Sequence, residues 1–223
     1  MNTETVVLLS GGLDSAVLLA HELRERTVQP VYVSTGLAWE VDERSMLERL
    51  LAAPPFAEGV RPVAQLEVSV RDVYAPSHWA ILGTPPAYDT PDEDVYLHGR
   101  NVILLSKAAI FCTTRRISRL ALAPLAGNPF PDATPDFFEA MASALSLGLD
   151  HPIEIATPFA ALHKPDVVKL GIELGVPLDL TLSCMSPINR QHCGQCSKCR
   201  ERHDAFKDAG IADRTHYVNP PPR

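Results

Sequence analysis

Two groups of residues have types and spacings that can do chemistry. The first is Ser10-Gly11-Gly12-Leu13-Asp14-Ser15, set between an apolar run and a helical one. Paired glycines let backbone approach an anion closely, because no side chain intervenes. Successive N–H groups can then face phosphate oxygens, and the following helix adds its positive end. The Ser10 and Ser15 hydroxyls are further donors. Asp14 would repel a phosphate unless it holds a cation or orients the loop, so Mg2+ is implied. No Gly-Lys-Ser/Thr follows, and the third glycine of a dinucleotide fingerprint is absent. On glycines alone, the segment reads equally well as a capped strand-to-helix turn.

The second group is Cys184, Cys193, Cys196 and Cys199, spaced C-x8-C-x2-C-x2-C. The short gaps let sulfurs converge on one cation, and Gly194 permits a tight turn. Four thiolates suit tetrahedral Zn2+ in a closed structural site, which would add folding energy to a segment with few apolar residues. An iron–sulfur cluster uses the same ligand type. Redox disulfides or free thiols are the other readings. Arg190, Lys198, Arg200 and Arg202 stand nearby and are expected to offset the thiolate charge. Cys112 stands alone in an apolar stretch and reads as a small buried hydrophobe.

Elements must hold both groups. The chain has 223 residues, 46% of them hydrophobic and 21% charged, which excludes a disordered, collagenous or coiled-coil chain. Apolar runs predict strands over 5–9, 30–34, 63–70, 120–125 and 153–156. Helical spacing predicts helices over 15–25, 41–51, 101–113, 136–147 and 165–174. The alternation argues for an α/β domain with a largely parallel sheet. Ligands of such sheets bind beyond the carboxyl ends of the strands, which places a site at residues 10–15, 34–39 and after 125. Residues 75–94, rich in proline and acid, read as a long surface loop, either a substrate lid or a mobile insertion. The organisation expected is an ATP-binding domain over 1–180, a zinc-binding segment over 181–215 and a flexible tail over 216–223.

Charge narrows the partners. Twenty Lys and Arg against 27 Asp and Glu give a net charge of −7, poor for indiscriminate binding to a phosphate backbone. Nucleic acid is therefore an unlikely partner, and no stretch approaches the roughly 20 apolar residues of a membrane span. Glu4 stands where a secretion signal would be basic, and Asp14 interrupts its apolar run. Together with the clustered cysteines, this predicts a reducing, cytoplasmic location.

The complete SGGLDS string resembles the pyrophosphate loop of the ATP-pyrophosphatase superfamily. Joined to the C-terminal CGQCSKCRER run with Phe206, it resembles the 7-cyano-7-deazaguanine synthase family. His98-Gly99-Arg100-Asn101, the segment Gly127–Asp132 with Phe137, Thr157-Pro158 with Lys164, and Thr181–Cys184 are similar to that family's motifs as well. The resemblance runs from Val6 to about Phe206. It implies a Rossmann-like sheet of the adenine nucleotide alpha hydrolase type. It also implies a ligase that turns 7-carboxy-7-deazaguanine, ammonia and ATP into 7-cyano-7-deazaguanine, a precursor of queuosine and archaeosine. Relatives suggest a homodimer.

The implied nucleotide segment is Leu9, Ser10, Gly11, Gly12, Leu13, Asp14, Ser15, Ala16, Val17, Leu18 and Leu19. Arg100 and Lys164 are candidate phosphate or carboxylate clamps, or else surface ion pairs. Asn101 is expected to cap a helix rather than touch substrate, and Asp132 either binds the base or serves a turn. One departure matters. The family's Tyr-Gly-Gln-Arg-His is replaced by Thr35-Gly36-Leu37-Ala38-Trp39, followed by Glu40 and Glu43. Trp39 could stack on a purine-like ring or simply pack. The competing readings are a relative that activates another carboxylate, a tRNA-thiolating enzyme, and a zinc-binding interaction module without catalysis.

Overall fold

The computed structural model describes residues 4–222. Residues 1–3 of the expected first domain and residue 223 of the expected tail lie outside them. Five strands form one parallel sheet: β1 (Glu4–Leu8), β2 (Thr27–Ser34), β3 (Ala64–Glu67), β4 (Arg119–Ala121) and β5 (Glu154–Ala156). Their order is β3-β2-β1-β4-β5, which confirms the expected α/β class. Among the described residues the seven α-helices are α1 (Leu13–Leu23), α2 (Glu40–Leu51), α3 (Trp79–Leu82), α4 (Arg100–Arg115), α5 (Pro135–Leu149), α6 (Lys164–Glu173) and α7 (Ser197–Ala209).

Both faces of the sheet are covered, which is why its central strands β1 and β2 are largely buried, while edge strand β3 alternates in exposure. Val7, Leu18, Leu47, Val167 and Phe206 share one core, formed with α1, α2, α6 and α7. Val6, Val31, Leu105, Leu120 and Phe138 share the opposite one, formed with α4 and α5. A third core joins Trp39, Ala80 and Leu97 to the four clustered cysteines. The turn before α2, the segment after β3 and the C-terminal segment are thus packed together.

Strand boundaries differ from expectation where proline decides them. β2 begins at Thr27, three residues before Pro30, which reads as a start signal. The Val31 carbonyl accepts from Leu9, so Pro30 turns its missing N–H away from β1. β3 begins only opposite Val31, so that side of Pro30 needs no donor. β4 ends at Ala121 rather than 125: Leu122 still bonds to Ala156, but Pro124 offers no further donor.

Sheet order puts the carboxyl ends of β1 and β4 side by side. From there β1 leads into α1, and the chain after β4 runs out through residues 122–130. The two connections diverge and leave a crevice, as expected at a switch point. Residues 75–94 are not a free insertion. They contain α3, which buries Ala80, and run into a 3-10 turn, Asp92–Val95, whose last residue is buried. The C-terminal segment contains α7, a helix that apolar periodicity does not reveal because few of its residues are apolar. The expected tail begins with bonded residues: Val218 donates to the His192 carbonyl at 2.8 Å and Asn219 to the Cys193 carbonyl at 3.3 Å.

Candidate functional site: a phosphate loop lining two cavities

The phosphate loop is braced by its own hydroxyls. The Gly12 N–H donates to Ser10 Oγ at 3.2 Å, and Ser15 Oγ donates to the Gly12 carbonyl at 3.0 Å. Ser15 Oγ also accepts from the Ser10 N–H at 3.2 Å. Gly11 sits at φ 77°, and a Cβ there would press on the Glu43 carbonyl at 3.3 Å, so both geometry and space require glycine. Gly12 caps α1 without a side-chain bond, which leaves the first-turn N–H groups for an anion.

Two cavities open beside this loop, of about 270 Å3 and about 480 Å3. Leu9, Ser10, Gly12, Asp14 and Ser15 line the first; Ser10, Gly12, Leu13 and Asp14 line the second. Ala16, Val17, Leu18 and Leu19, also expected in the nucleotide segment, line neither and are buried in the core behind the loop.

Asp14 is held from the far end of the chain. Lys164 Nζ lies 2.6 Å from Asp14 Oδ2 and 3.1 Å from Glu201 Oε1, and Glu201 also pairs with Lys198. Burial works against the Lys164 charge, but the two carboxylates outweigh it and raise its pKa. Burial likewise works against the Glu201 charge, and the two lysines prevail, holding its carboxyl down to about 2. Asp14 Oδ1 is buried with no partner. An unpaired carboxylate oxygen beside a phosphate loop fits a hard divalent cation.

Arg100, the first residue of α4, lines both cavities and keeps its Nε buried without a partner. Asp132 lines the first cavity, and its Oδ2 accepts from the Asn101 backbone N–H at 3.0 Å. The Asn101 side chain donates to the Asp132 carbonyl at 2.8 Å. Capping is therefore reversed from expectation. Gly99 is the N-cap of α4, and Asp132 supplies the acceptor from outside. Burial raises the pKa of Asp132, and the Asn101 N–H opposes that rise.

The departure at Leu37–Trp39 resolves into packing. Leu37 and Trp39 are buried, and Trp39 stacks on Trp79 with centroids 5.9 Å apart and planes at 12°. Both indoles line the second cavity. Glu40 has no freedom left, since Ser34 Oγ, Thr35 N–H, Thr35 Oγ1 and Gly36 N–H all donate to it. Burial alone would raise its pKa, but those donors prevail and lower it.

The four C-terminal sulfurs all lie within 4.8 Å of one another. Cys184 and Cys196, and Cys193 and Cys199, are 3.9 Å apart; Cys196 and Cys199 are 3.5 Å apart. The cluster could hold one metal ion. Gly194 sits at φ 76°, where a Cβ would collide with the Asn219 carbonyl. The direct donors to the sulfurs are backbone groups: Ser186 and Cys193 N–H donate to Cys184 Sγ, and Gln195 N–H to Cys193 Sγ, each at 3.3 Å, while Arg202 interacts electrostatically with Cys199. Arg200 instead holds the Tyr88 and Thr90 carbonyls and Asp92, and Arg202 holds residues 178–183 and Thr215. Cys112 is fully buried, and burial pushes its thiol up to about 12.

Residues 4–210 match the model of the queuosine biosynthesis protein QueC family. The chain belongs to the QueC family. A 7-cyano-7-deazaguanine synthase from Thermoplasma volcanium is 32% identical, with 99% of this chain and 93% of that protein covered. One from Methanopyrus kandleri is 34% identical, with 96% of this chain and 98% of that protein covered. A solved 4-thiouridine synthetase in complex with RNA and ATP has 16% identity and a TM-score of 0.50. It covers 93% of this chain and 51% of that one, and shows a shared fold.

Within the QueC family frame, three site features lay beyond sequence reading. Glu201 and Lys198 belong to the metal segment by position, yet reach the phosphate loop through Lys164. Their i, i+3 spacing on α7 was the available signal. Trp79 lies in the loop expected to be irregular. Glu43, visible only as an acid beyond the departure, lines both cavities.

Proposed function

We propose that the chain converts 7-carboxy-7-deazaguanine, ammonia and ATP into 7-cyano-7-deazaguanine, as a carbon–nitrogen ligase. One observation carries this reading: in a chain that matches the QueC family over residues 4–210, the phosphate loop, the unpaired Asp14 oxygen and Arg100 converge on two cavities that share lining residues. A carboxylate is a poor electrophile. Esterifying its oxygen with a phosphate makes that oxygen a leaving group; ammonia then gives an amide. A second activation, of the amide oxygen, allows its expulsion to leave the nitrile. The site's work is charge stabilisation at phosphates, so no nucleophilic side chain is needed.

Ser10, Gly12, Ser15 and the α1 N-terminus would hold phosphate, with Arg100 facing the same space as a clamp. Lys164 fixes Asp14 and stands at the edge of the second cavity. Asp132 sets the first turn of α4, and so the position of Arg100. Mg2+ on Asp14 would neutralise phosphate charge as it redistributes.

Zinc suits the cysteine cluster. Tetrahedral zinc, about 2.3 Å from each sulfur, spaces sulfurs about 3.8 Å apart, close to the separations found here. The homodimer and cytoplasmic location stay expectations drawn from relatives and composition. No helix among the described residues is long and apolar enough to cross a membrane.

Mass spectrometry of a reaction with 7-carboxy-7-deazaguanine, ammonium and Mg2+-ATP tests the reading. The nitrile is the expected product. Nucleotide turnover with a different acid, and none with this one, would overturn it. Such an outcome would support the second reading, a family member for another carboxylate, which the buried Trp39–Trp79 stack favours. Thiolation of tRNA is disfavoured, because the described cysteines form one buried cluster plus buried Cys112, with no exposed pair.

A further inference from the structure

We propose that Glu43 is the proton acceptor for the nitrogen that enters the product. The inference rests on the carboxylate-to-nitrile reading above. That chemistry has a requirement the phosphate loop does not meet. When ammonia adds to the activated carboxyl carbon, a C–N bond forms and the C–O bond to the phosphate ester breaks. The leaving phosphate keeps that electron pair, and the nitrogen must lose one proton to become an amide. When the activated amide collapses to the nitrile, the second C–O bond breaks in the same sense. Over that second stage, the nitrogen loses its two remaining protons. A base inside the site must take each one and return it to solvent.

The acids lining the two cavities differ in their freedom to do this. Asp14 is paired with Lys164, and its other oxygen fits a cation. Glu201 is paired with two lysines, and Asp92 with Arg200. Glu40 receives four donors and stays ionised. Asp132 is bound to the first turn of α4. Asp14 and Glu43 line both cavities, and of the two only Glu43 has no ion pair: one of its oxygens is anchored by a neutral hydroxyl and the other is uncommitted. Its Oε2 accepts the Tyr32 hydroxyl at 2.7 Å, which fixes the carboxyl plane. No hydrogen bond in the described residues occupies Oε1.

The surroundings suit a base that must change protonation state near neutrality. Burial pushes the Glu43 carboxyl up to about 7, opposed by Arg100 across the cavity and by the Tyr32 hydroxyl. Glu40 and Arg44, on the same helix, act in opposite senses. From the phosphate loop, Gly11 packs against the Glu43 backbone, and Asp14, paired with Lys164, lines the same cavities.

The test separates activation from nitrogen transfer. Hydroxylamine is a neutral nucleophile at pH 7 and traps an activated acyl group as a hydroxamate. Glu43→Gln keeps the shape of the residue and its bond to Tyr32. The variant is expected to form nitrile at least about 100-fold more slowly than wild type, while hydroxamate trapping stays within about threefold. The wild-type rate, corrected for free ammonia, is expected to rise through about pH 7, and that limb to vanish in the variant. Tyr32→Phe, which frees the carboxyl plane, should fall between the two. Nitrile formation by Glu43→Gln at the wild-type rate would overturn the inference alone. So would loss of both products in proportion, which would place Glu43 in binding or activation. A wild type that makes neither product from 7-carboxy-7-deazaguanine would overturn the substrate reading, and this inference with it.

Discussion

Asp14 is asked to do two things with its two oxygens. Oδ2 is fixed by Lys164 at 2.6 Å, and Oδ1 is buried without a partner. Its replacement removes the proposed cation ligand but no apolar packing. Asp14→Ala is therefore expected to abolish turnover while the far-ultraviolet circular dichroism stays that of wild type; normal turnover would contradict the role. Glu43 makes a second residue-level prediction, of the opposite kind. Its folded pKa of about 7 lies above the ordinary 4.5, so its contribution favours folding fully below pH 4.5. That contribution is lost as pH rises toward 7, by on the order of 3 kcal/mol for a shift of this size. Urea unfolding at pH 5 and pH 8 is expected to show that loss in wild type relative to Glu43→Gln. Identical pH dependence in the two would show that burial does not shift Glu43.

At the scale of elements, α7 joins what the chain order separates. Cys196 is its N-cap and Cys199 lies in its first turn. Arg200, from the next position, fastens residues 88–92 of the loop that walls the second cavity. Glu201 reaches Lys164 at the start of α6, and Arg202 is buried with donors on Leu178, Thr181, Ser183 and Thr215. Arg202→Leu removes those donors and leaves several buried acceptors unpaired. A loss of about 3–5 kcal/mol is expected in chemical denaturation. A change below 1 kcal/mol would mean that water replaces the guanidinium at those acceptors.

At the scale of the molecule, the cysteine cluster and residues lining the second cavity share a core. Trp39, Ala80, Leu97 and the four cysteines pack as one cluster. Ala87 also pairs with Cys196, and Ser197 N–H donates to the Pro86 carbonyl. Cys196→Ser is therefore expected to lose its metal, measured by elemental analysis, and to loosen more than its own segment. Hydrogen exchange should quicken over residues 84–95 as well as 196–209. Full metal content, or exchange confined to 196–209, would contradict this coupling.

Sequence alone determined what depends on neighbours along the chain. The loop Ser10–Ser15 was legible because a phosphate cradle needs glycines and a helix start at fixed offsets. The cysteine spacing was legible because sulfurs that meet on one ion must be close in sequence or turn sharply. Strand and helix alternation gave the parallel sheet, since a buried strand and an amphipathic helix have different apolar periods. Tertiary structure alone decided which distant residues meet. Lys164 and Asp14 are 150 residues apart in sequence and 2.6 Å apart in space. Glu201 lies beyond both, and Glu43 faces a cavity only because α2 packs against the phosphate loop. No local pattern encodes such pairs, because they exist only after the sheet order has brought the strand ends together.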